Sequence, residues 1–384
     1  MTISNKNNIE DILSRWKFEI IFDNFKLDIK ENIKEFINKK NILKIKKNND
    51  LISKYKKKTF NYKKNPYLKI SYFSRNKWHS FNIKNNVPLI IDLNLKLILK
   101  TNINIVYFIN SDISSCYIKL MKDQLNDFIK SRIFNNKQLK LYIMVICSDK
   151  RREKIIRKFI IEKIKNYNIK YEISFRRDNH KEYEGINKVW EIARNNKSND
   201  LIIYLHAKGI SYMQNKFLYI RQPIEKLIFK LIIKNWENNI ELLTRIKSIY
   251  KIGVLSGGNG WLWFNFWIAK STYISKIEKP KKRNRACYYE DWIGRCLINS
   301  ENINLKKYTN EYNETYLNTI ENTFSILNDP SKDKYNIGTP CKVEKGGFVG
   351  LGITKYTYRI WYYFFYLMNK LSINKAKKNR FILF

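Results

Sequence analysis

The chain predicts an α/β fold in which a mostly parallel sheet carries helices on both faces. Three observations support this. Apolar runs of strand length alternate with amphipathic segments from about residue 103 to 206. The strand runs are continuously apolar, as expected of strands buried on both faces; a strand with one wet face alternates. The segments between them have apolar residues at helical spacing, so the units read as strand–helix–strand crossovers.

The elements follow in order. "INIVYFIN" (103–110) is the first strand. The next segment has Leu120, Gln124, Leu125, Phe128, Ile129 and Ile133 near helical spacing. "LKLYIMVIC" (139–147) is the second strand, and Ile156, Phe159, Ile160, Ile164 and Tyr167 stripe the following helix. "KYEISF" (170–175) is the third. "EGINKVWEIA" is a short helix with Ile186, Val189, Trp190 and Ala193 inward, and "LIIYLH" (201–206) is the fourth strand. Pro223 opens a long helix with Ile224, Leu227, Ile228, Leu231 and Ile232 on one stripe, ending before Gly253. Proline is suited to a helix's first turn because it has no N–H there to leave unpaired. "SGGNGWLW" is a glycine-rich loop, "WFNFWIAK" (263–270) an aromatic strand, and "CYYEDWIGRCL" (287–297) a helix.

Three regions follow. Residues 1–100 are a basic N-terminal extension or small accessory region, 101–335 the α/β domain, and 336–384 an aromatic and basic helical tail. Within the first, "NIEDILSRWKFEIIFDNF" reads as a short helix and "YLKISYFSRNKWHSFNI" as a strand pair.

Composition bounds the function. The chain has 384 residues, 44% of them hydrophobic and 15% aromatic, which allows a sizeable core and excludes wholesale disorder. Its formal net charge is +40, with Lys/Arg outnumbering acids 15 to 2 between residues 41 and 100. Such density attracts phosphate-rich partners, but most of it reads as solvated surface. No nucleic-acid-binding signature accompanies it, so no dedicated nucleic-acid partner is expected. An anionic membrane surface is a second contact open to the basic tail. Five cysteines form no CxxC pair, which suits reduced thiols. The N-terminal stretch has no apolar core of signal-peptide type, and no apolar run reaches the ~18 residues of a membrane span. The expected location is cytoplasmic, with a peripheral membrane contact allowed.

Ligands of parallel sheets sit beyond the carboxyl ends of the strands. There "LIIYL" runs into His206, Lys208 and Gly209, in a chain with three histidines. Lys208 suits a phosphate as a point charge; His206 suits a metal, a hydrogen bond or acid/base work. Glu182 and Glu184 flank Tyr183 before a helix, where they either favour the helix dipole or meet ligand hydroxyls. In "WLWFNFW", Asn265 is polar among aromatics that offer stacking faces, Trp267 among them. Glu290 and Asp291 near a helix start are candidates for a general base.

In this order the segments resemble a family of glycosyltransferases found in viruses and microbes. The resemblance rests on Gln124 and Leu125, Tyr183 and Glu184, "YLHAKG" (204–209), "NFWIAKSTYI" (265–274) and "EDWI" (290–293), and covers about half the chain. Ala207 stands where that family has threonine, Ile268 where it has a second tryptophan, and Phe264 where it has glycine. The resemblance implies a GT-A-like, Rossmann-type domain that moves a sugar from a nucleotide-sugar donor to a glycan or other hydroxyl acceptor. It implies Glu290, Asp291 and His206 as catalytic residues, and Lys208, Gly209, Glu184, Tyr183, Asn265 and Trp267 at the donor. Such enzymes commonly hold manganese or magnesium at a DxD triplet. None occurs in this chain, so a lysine replacing the metal's charge and a metal with His206 as one ligand are both open. A basic nucleic-acid-binding protein and an inactive transferase-like scaffold are the alternative readings.

Overall fold

The computed structural model describes residues 4–22, 25–38, 42–45, 67–84, 87–93, 101–195, 200–207, 221, 223–257, 260–284, 287–294, 307–309, 315–317, 322–326, 347–348 and 353–354. The chain begins with α1 (Ser4–Ser14), β1 (Trp16–Phe22), β2 (Phe25–Asp28), the short α2 (Lys30–Ile33), β3 (Ile42–Ile45), β4 (Tyr67–Ser74), β5 (Lys77–Ile83) and β6 (Leu89–Asp92). It continues through β7 (Ile103–Asn110), α3 (Tyr117–Lys130), β8 (Leu139–Ile146), α4 (Lys150–Ile164), β9 (Lys170–Arg176), α5 (Tyr183–Asn195) and β10 (Leu201–His206). Then come α6 (Pro223–Phe229), α7 (Trp236–Arg245), β11 (Lys251–Gly253), β12 (Trp267–Lys270), α8 (Ser271–Ile274), α9 (Cys287–Trp292), β13 (Lys307–Thr309), β14 (Thr315–Leu317) and β15 (Thr323–Ser325).

The α/β expectation is met. A seven-stranded sheet runs β15-β11-β12-β10-β7-β8-β9. Strands β10, β7, β8 and β9 are mutually parallel, as are β11 and β15, while β12 runs antiparallel to both its neighbours. Every residue of β7 is buried. Because side chains alternate across a strand, Ile103, Ile105, Tyr107 and Ile109 enter one core with α3, α4 and the α6–α7 region. Val106 and Phe108 enter a second core with α5, α8 and α9 on the opposite face.

The N-terminal region contains a four-stranded antiparallel sheet, β2-β1-β4-β5, with β3 and β6 as a separate antiparallel pair. "WKFEIIF" forms a strand where a helix was expected, because Trp16, Phe18 and Ile20 alternate inward with Lys17 and Glu19 outward. These residues share the first core. Ser74 Oγ donates to Glu241 of α7 at 2.9 Å, and the same carboxylate takes Arg245 at 2.8 Å, both ions being buried. Paired in this way, the two charges tie the antiparallel sheet to a helix of the α/β region.

Two other elements differ from expectation. The long helix after Pro223 breaks: α6 passes through a π-helical stretch, Lys230–Lys234, and α7 starts afresh after Asn235. The aromatic strand begins at Trp267 rather than residue 263, since Phe264 (φ 69°) and Asn265 (φ 53°) are left-handed and cannot extend a ladder. The 336–384 tail lies outside the described residues except for residues 347–348 and 353–354. Among the described residues, no helix is long and apolar enough to cross a membrane. Cys116 and Cys147 are free and buried.

Candidate functional site

Connectivity locates a crevice. The chain steps from β7 to β8 to β9 in one direction, then returns to place β10 on the other side of β7. The crossover helix after β7, α3, covers one face of the sheet and the helix leading into β10, α5, covers the other, so the connectivity reverses between β7 and β10, where sheets of this kind have a crevice. His206 closes β10 at that gap in register with Phe108 of β7, and the Ala207 N–H bonds the Phe108 carbonyl at 2.9 Å.

Glu182 enters the gap from the third crossover. The turn before α5 places Lys181 at φ 57°, and the Glu182 carbonyl accepts the Ile186 N–H at 3.1 Å to begin the helix. Gly185 makes the approach feasible: a Cβ there would lie 2.8 Å from Phe108 Cβ and 2.9 Å from the Tyr204 hydroxyl. With that space empty, Tyr204 donates to Glu182 Oε2 at 3.0 Å and Asn265 Nδ2 donates to the same oxygen at 2.5 Å. Oε1 faces His206 Nδ1 at 3.1 Å, with both side chains 13% exposed. Burial pushes the Tyr204 hydroxyl well above its ordinary range, and the adjacent carboxylate pushes it the same way, so Tyr204 stays a neutral donor.

The second wall is the left-handed turn. His206 Nε2 lies 3.1 Å from the Phe264 carbonyl, and its ring meets Phe266 edge-on at 5.5 Å. Trp267 Nε1 donates to Asn265 Oδ1 at 2.8 Å and its ring packs on Tyr204 at 5.2 Å. Asn265 and Trp267 are both fully buried. Trp267 thus presents no stacking face, and it reaches the site by orienting the Asn265 amide.

The other expected residues spread around this cluster. Tyr183 is half-buried, with Lys282 Nζ 5.4 Å from its ring centroid, and burial raises its hydroxyl above the ordinary range. Glu184 pairs instead with Arg176 at the end of β9, at 3.4 Å. Glu290 and Asp291 are half-buried on α9, which packs against the 263–265 turn. Lys208 and Gly209 lie outside the described residues. A Cβ on Gly257 of the glycine-rich loop would fall 2.0 Å from the Trp261 ring, and one on Gly294, just after α9, would fall 3.1 Å from the Trp261 backbone. Those glycines accommodate a tryptophan, which in turn stands 4.3 Å from Trp263.

Gln124 has a structural place. It accepts from the buried Tyr107 hydroxyl at 2.5 Å and donates to the buried Glu225 at 2.8 Å. Glu225 takes both Nε and Nη2 of Arg221, whose Nη1 reaches Asp127 at 2.6 Å. This network joins β7, α3 and α6 beneath the sheet edge.

Among the described residues, no three His, Cys, Asp or Glu side chains cluster to hold a divalent metal. Both ring nitrogens of His206 already face protein acceptors.

Glu182, in sequence either a helix-start acid or a contact for ligand hydroxyls, is the hub that joins Tyr204, Asn265 and His206. Its one local signal is an acid between the third strand and its helix, on the edge where His206 ends the fourth. Tyr204 opens the "YLHAKG" segment of the motif resemblance, but its place among many aromatic residues in apolar runs pointed to no role of its own.

No family model matches the chain, and no curated protein matches it. Among solved structures it is similar to the mannosyltransferase PcManGT from Pyrobaculum calidifontis, solved in complex with GDP-Man and Mn2+. That likeness has 6% sequence identity and a TM-score of 0.32, over 53% of this chain and 56% of the other. The chain thus spans just over half of that structure's length, and a likeness at this level bears on neither substrate nor residue roles.

Proposed function

We propose that the chain is a glycosyltransferase that moves a sugar from a nucleotide-sugar donor to a hydroxyl acceptor. The observation that supports this best is the convergence of Glu182, His206 and Asn265, from three separate segments, at the gap between β7 and β10. Sheets of this connectivity bind ligands there, and the resemblance in motif order points the same way.

In this reading the donor lies across the carboxyl edge of the sheet with its diphosphate toward the segment after Ala207. Breaking the bond between the anomeric carbon and phosphate oxygen leaves negative charge on the diphosphate, and Lys208 supplies the opposing charge. The acceptor hydroxyl attacks the anomeric carbon and gives up its proton to a carboxylate of α9, Glu290 or Asp291. Asn265, held by Trp267, and Tyr183 line the donor side.

The test is hydrolysis or transfer from common nucleotide sugars, assayed with and without manganese. Turnover that falls at least ~100-fold in Glu290→Gln or Asp291→Asn, and in Lys208→Ala, supports the reading at the scale of a lost general base. Full turnover in all three variants overturns the residue assignment. A folded protein that neither binds nor turns over any nucleotide sugar overturns the function in favour of a scaffold.

A further inference from the structure

Basic residues are spread along the whole chain, whose net charge is +40 over 384 residues, yet one run is far denser. "EKPKKRNR" (278–285), between α8 and α9, holds five cations and one acid. Its main chain is tied to α9 by three aromatic side chains. Trp292 Nε1 donates to the Glu278 carbonyl at 2.9 Å, the Lys281 N–H donates to the Tyr288 hydroxyl at 2.8 Å, and the Arg283 N–H donates to the Tyr289 hydroxyl at 2.9 Å. Tyr289 in turn donates to the Arg283 carbonyl at 3.0 Å. Pro280 is buried between these ties, while Lys279, Lys281, Lys282 and Arg283 stay exposed. The cations therefore emerge from a fixed strap of backbone, which lowers the ordering cost of using them together.

The strap borders the candidate site. Lys282 Nζ lies 5.4 Å from the ring centroid of Tyr183, the residue after Glu182, and Lys279 Nζ lies 5.4 Å from the Trp190 ring of the same helix. The helix that holds the strap, α9, carries Glu290 and Asp291 and packs against the 263–265 turn that meets His206. Among the described residues, only Lys281 of the four exposed cations has a carboxylate partner, Glu278 at 3.0 Å. That pair is itself exposed, where ion pairs are weak.

We propose that this strap binds the oxyanion of an acidic saccharide at the α9 side of the crevice. The saccharide's role as acceptor rests on the glycosyltransferase reading, in which α9 supplies the base for the acceptor hydroxyl and the donor diphosphate lies toward the segment after Ala207. Lys282, beside Tyr183, then stands where the two sugars meet. Lysine ammoniums take carboxylate or phosphate as point charges, and Arg283 adds a planar fork that suits both. A neutral acceptor would gain nothing from these charges.

Calorimetry without donor tests this with two pairs of probes: hexagalacturonate against maltohexaose, and pentamannosyl phosphate against mannopentaose. In at least one pair the acidic probe is expected to bind ~10-fold or more tightly than the neutral one, as charge focusing at a cleft allows. The advantage should shrink as salt rises. Lys282→Ser with Arg283→Ser is expected to lose most of it; the strap's ties run through main-chain atoms, which both substitutions leave in place. Lys154→Ser with Lys158→Ser, exposed on α4, removes the same charge elsewhere and is expected to keep the advantage. Equal binding of acidic and neutral probes in both pairs overturns the proposal, as does undiminished acidic binding in the strap variant. Equal loss in the α4 variant overturns it too, by assigning the effect to overall charge. A chain that binds the acidic probe through the strap yet transfers no sugar sinks the glycosyltransferase reading alone.

Discussion

Gly185 lies against the Tyr204 side chain so closely that a Cβ would sit 2.9 Å from the hydroxyl oxygen. That spacing sets the depth at which α5 enters the sheet edge, and with it the reach of Glu182. Alanine normally stabilises a helix interior by about 1 kcal/mol over glycine. Here the sign reverses: Gly185→Ala is expected to destabilise by roughly 1–3 kcal/mol through overpacking. Urea unfolding midpoints measure this; a more stable variant would mean that α5 shifts freely and does not set the site.

Asn265 separates backbone strain from side-chain bonding. It is fully buried at φ 53°, bonded to Glu182 and Trp267. Asn265→Ala and Asn265→Gly both remove the amide, but glycine adopts the left-handed region without penalty. Both variants should lose stability, with glycine the milder by about 1 kcal/mol. Equal losses in thermal or chemical unfolding would show that the turn relaxes when the amide goes.

The Arg221–Glu225 pair should behave as a unit. Both residues are buried, with Gln124 and Asp127 completing the bonds. Arg221→Met strands the buried Glu225 carboxylate and is expected to cost about 3–5 kcal/mol, while Glu225→Met leaves Arg221 its Asp127 partner and should cost less. The double variant should cost less than the sum of the two, which a double-mutant cycle reads directly. Strict additivity would deny the coupling.

Lys270 makes stability depend on pH. Burial, with help from the neighbouring Lys247 charge, pushes its amine down to about 7, and Nζ donates to the Ile246 and Lys247 carbonyls at 3.2 and 3.0 Å. Between about pH 7 and the unfolded value near 10.4, the unfolded chain binds a proton that the folded one does not. Stability therefore rises with pH across that window, by up to about 1.4 kcal/mol per unit, and this slope vanishes below the folded value. Lys270→Met should lose that slope relative to the unmutated chain when unfolding is compared at pH 7, 8 and 9. Parallel profiles would place the ammonium in water.

Much of the fold was legible because the central parallel strands β7 and β10 are buried on both faces, which makes their apolar runs continuous, and helical stripes separate the strands. The same signal failed locally at residues 263–265. Those aromatics look like strand, but two consecutive left-handed residues end the ladder, and backbone handedness at Phe and Asn leaves no mark on composition. The broken helix after Pro223 is similar, its apolar stripe running through the π turn without interruption.

The site divides along the same line. By itself the sequence determined that polar residues end the fourth strand at the carboxyl edge of a parallel sheet, and that Asn265 is anomalous among aromatics. Tertiary structure decided what those residues do to one another. Glu182 and His206 are 24 positions apart, and His206 and Asn265 are 59 apart. A hydrogen bond forms only over about 3 Å, so their pairing depends on the strand order that folds the third crossover back across β7. It depends equally on an empty Cβ position at Gly185, which only packing against Tyr204 gives a meaning.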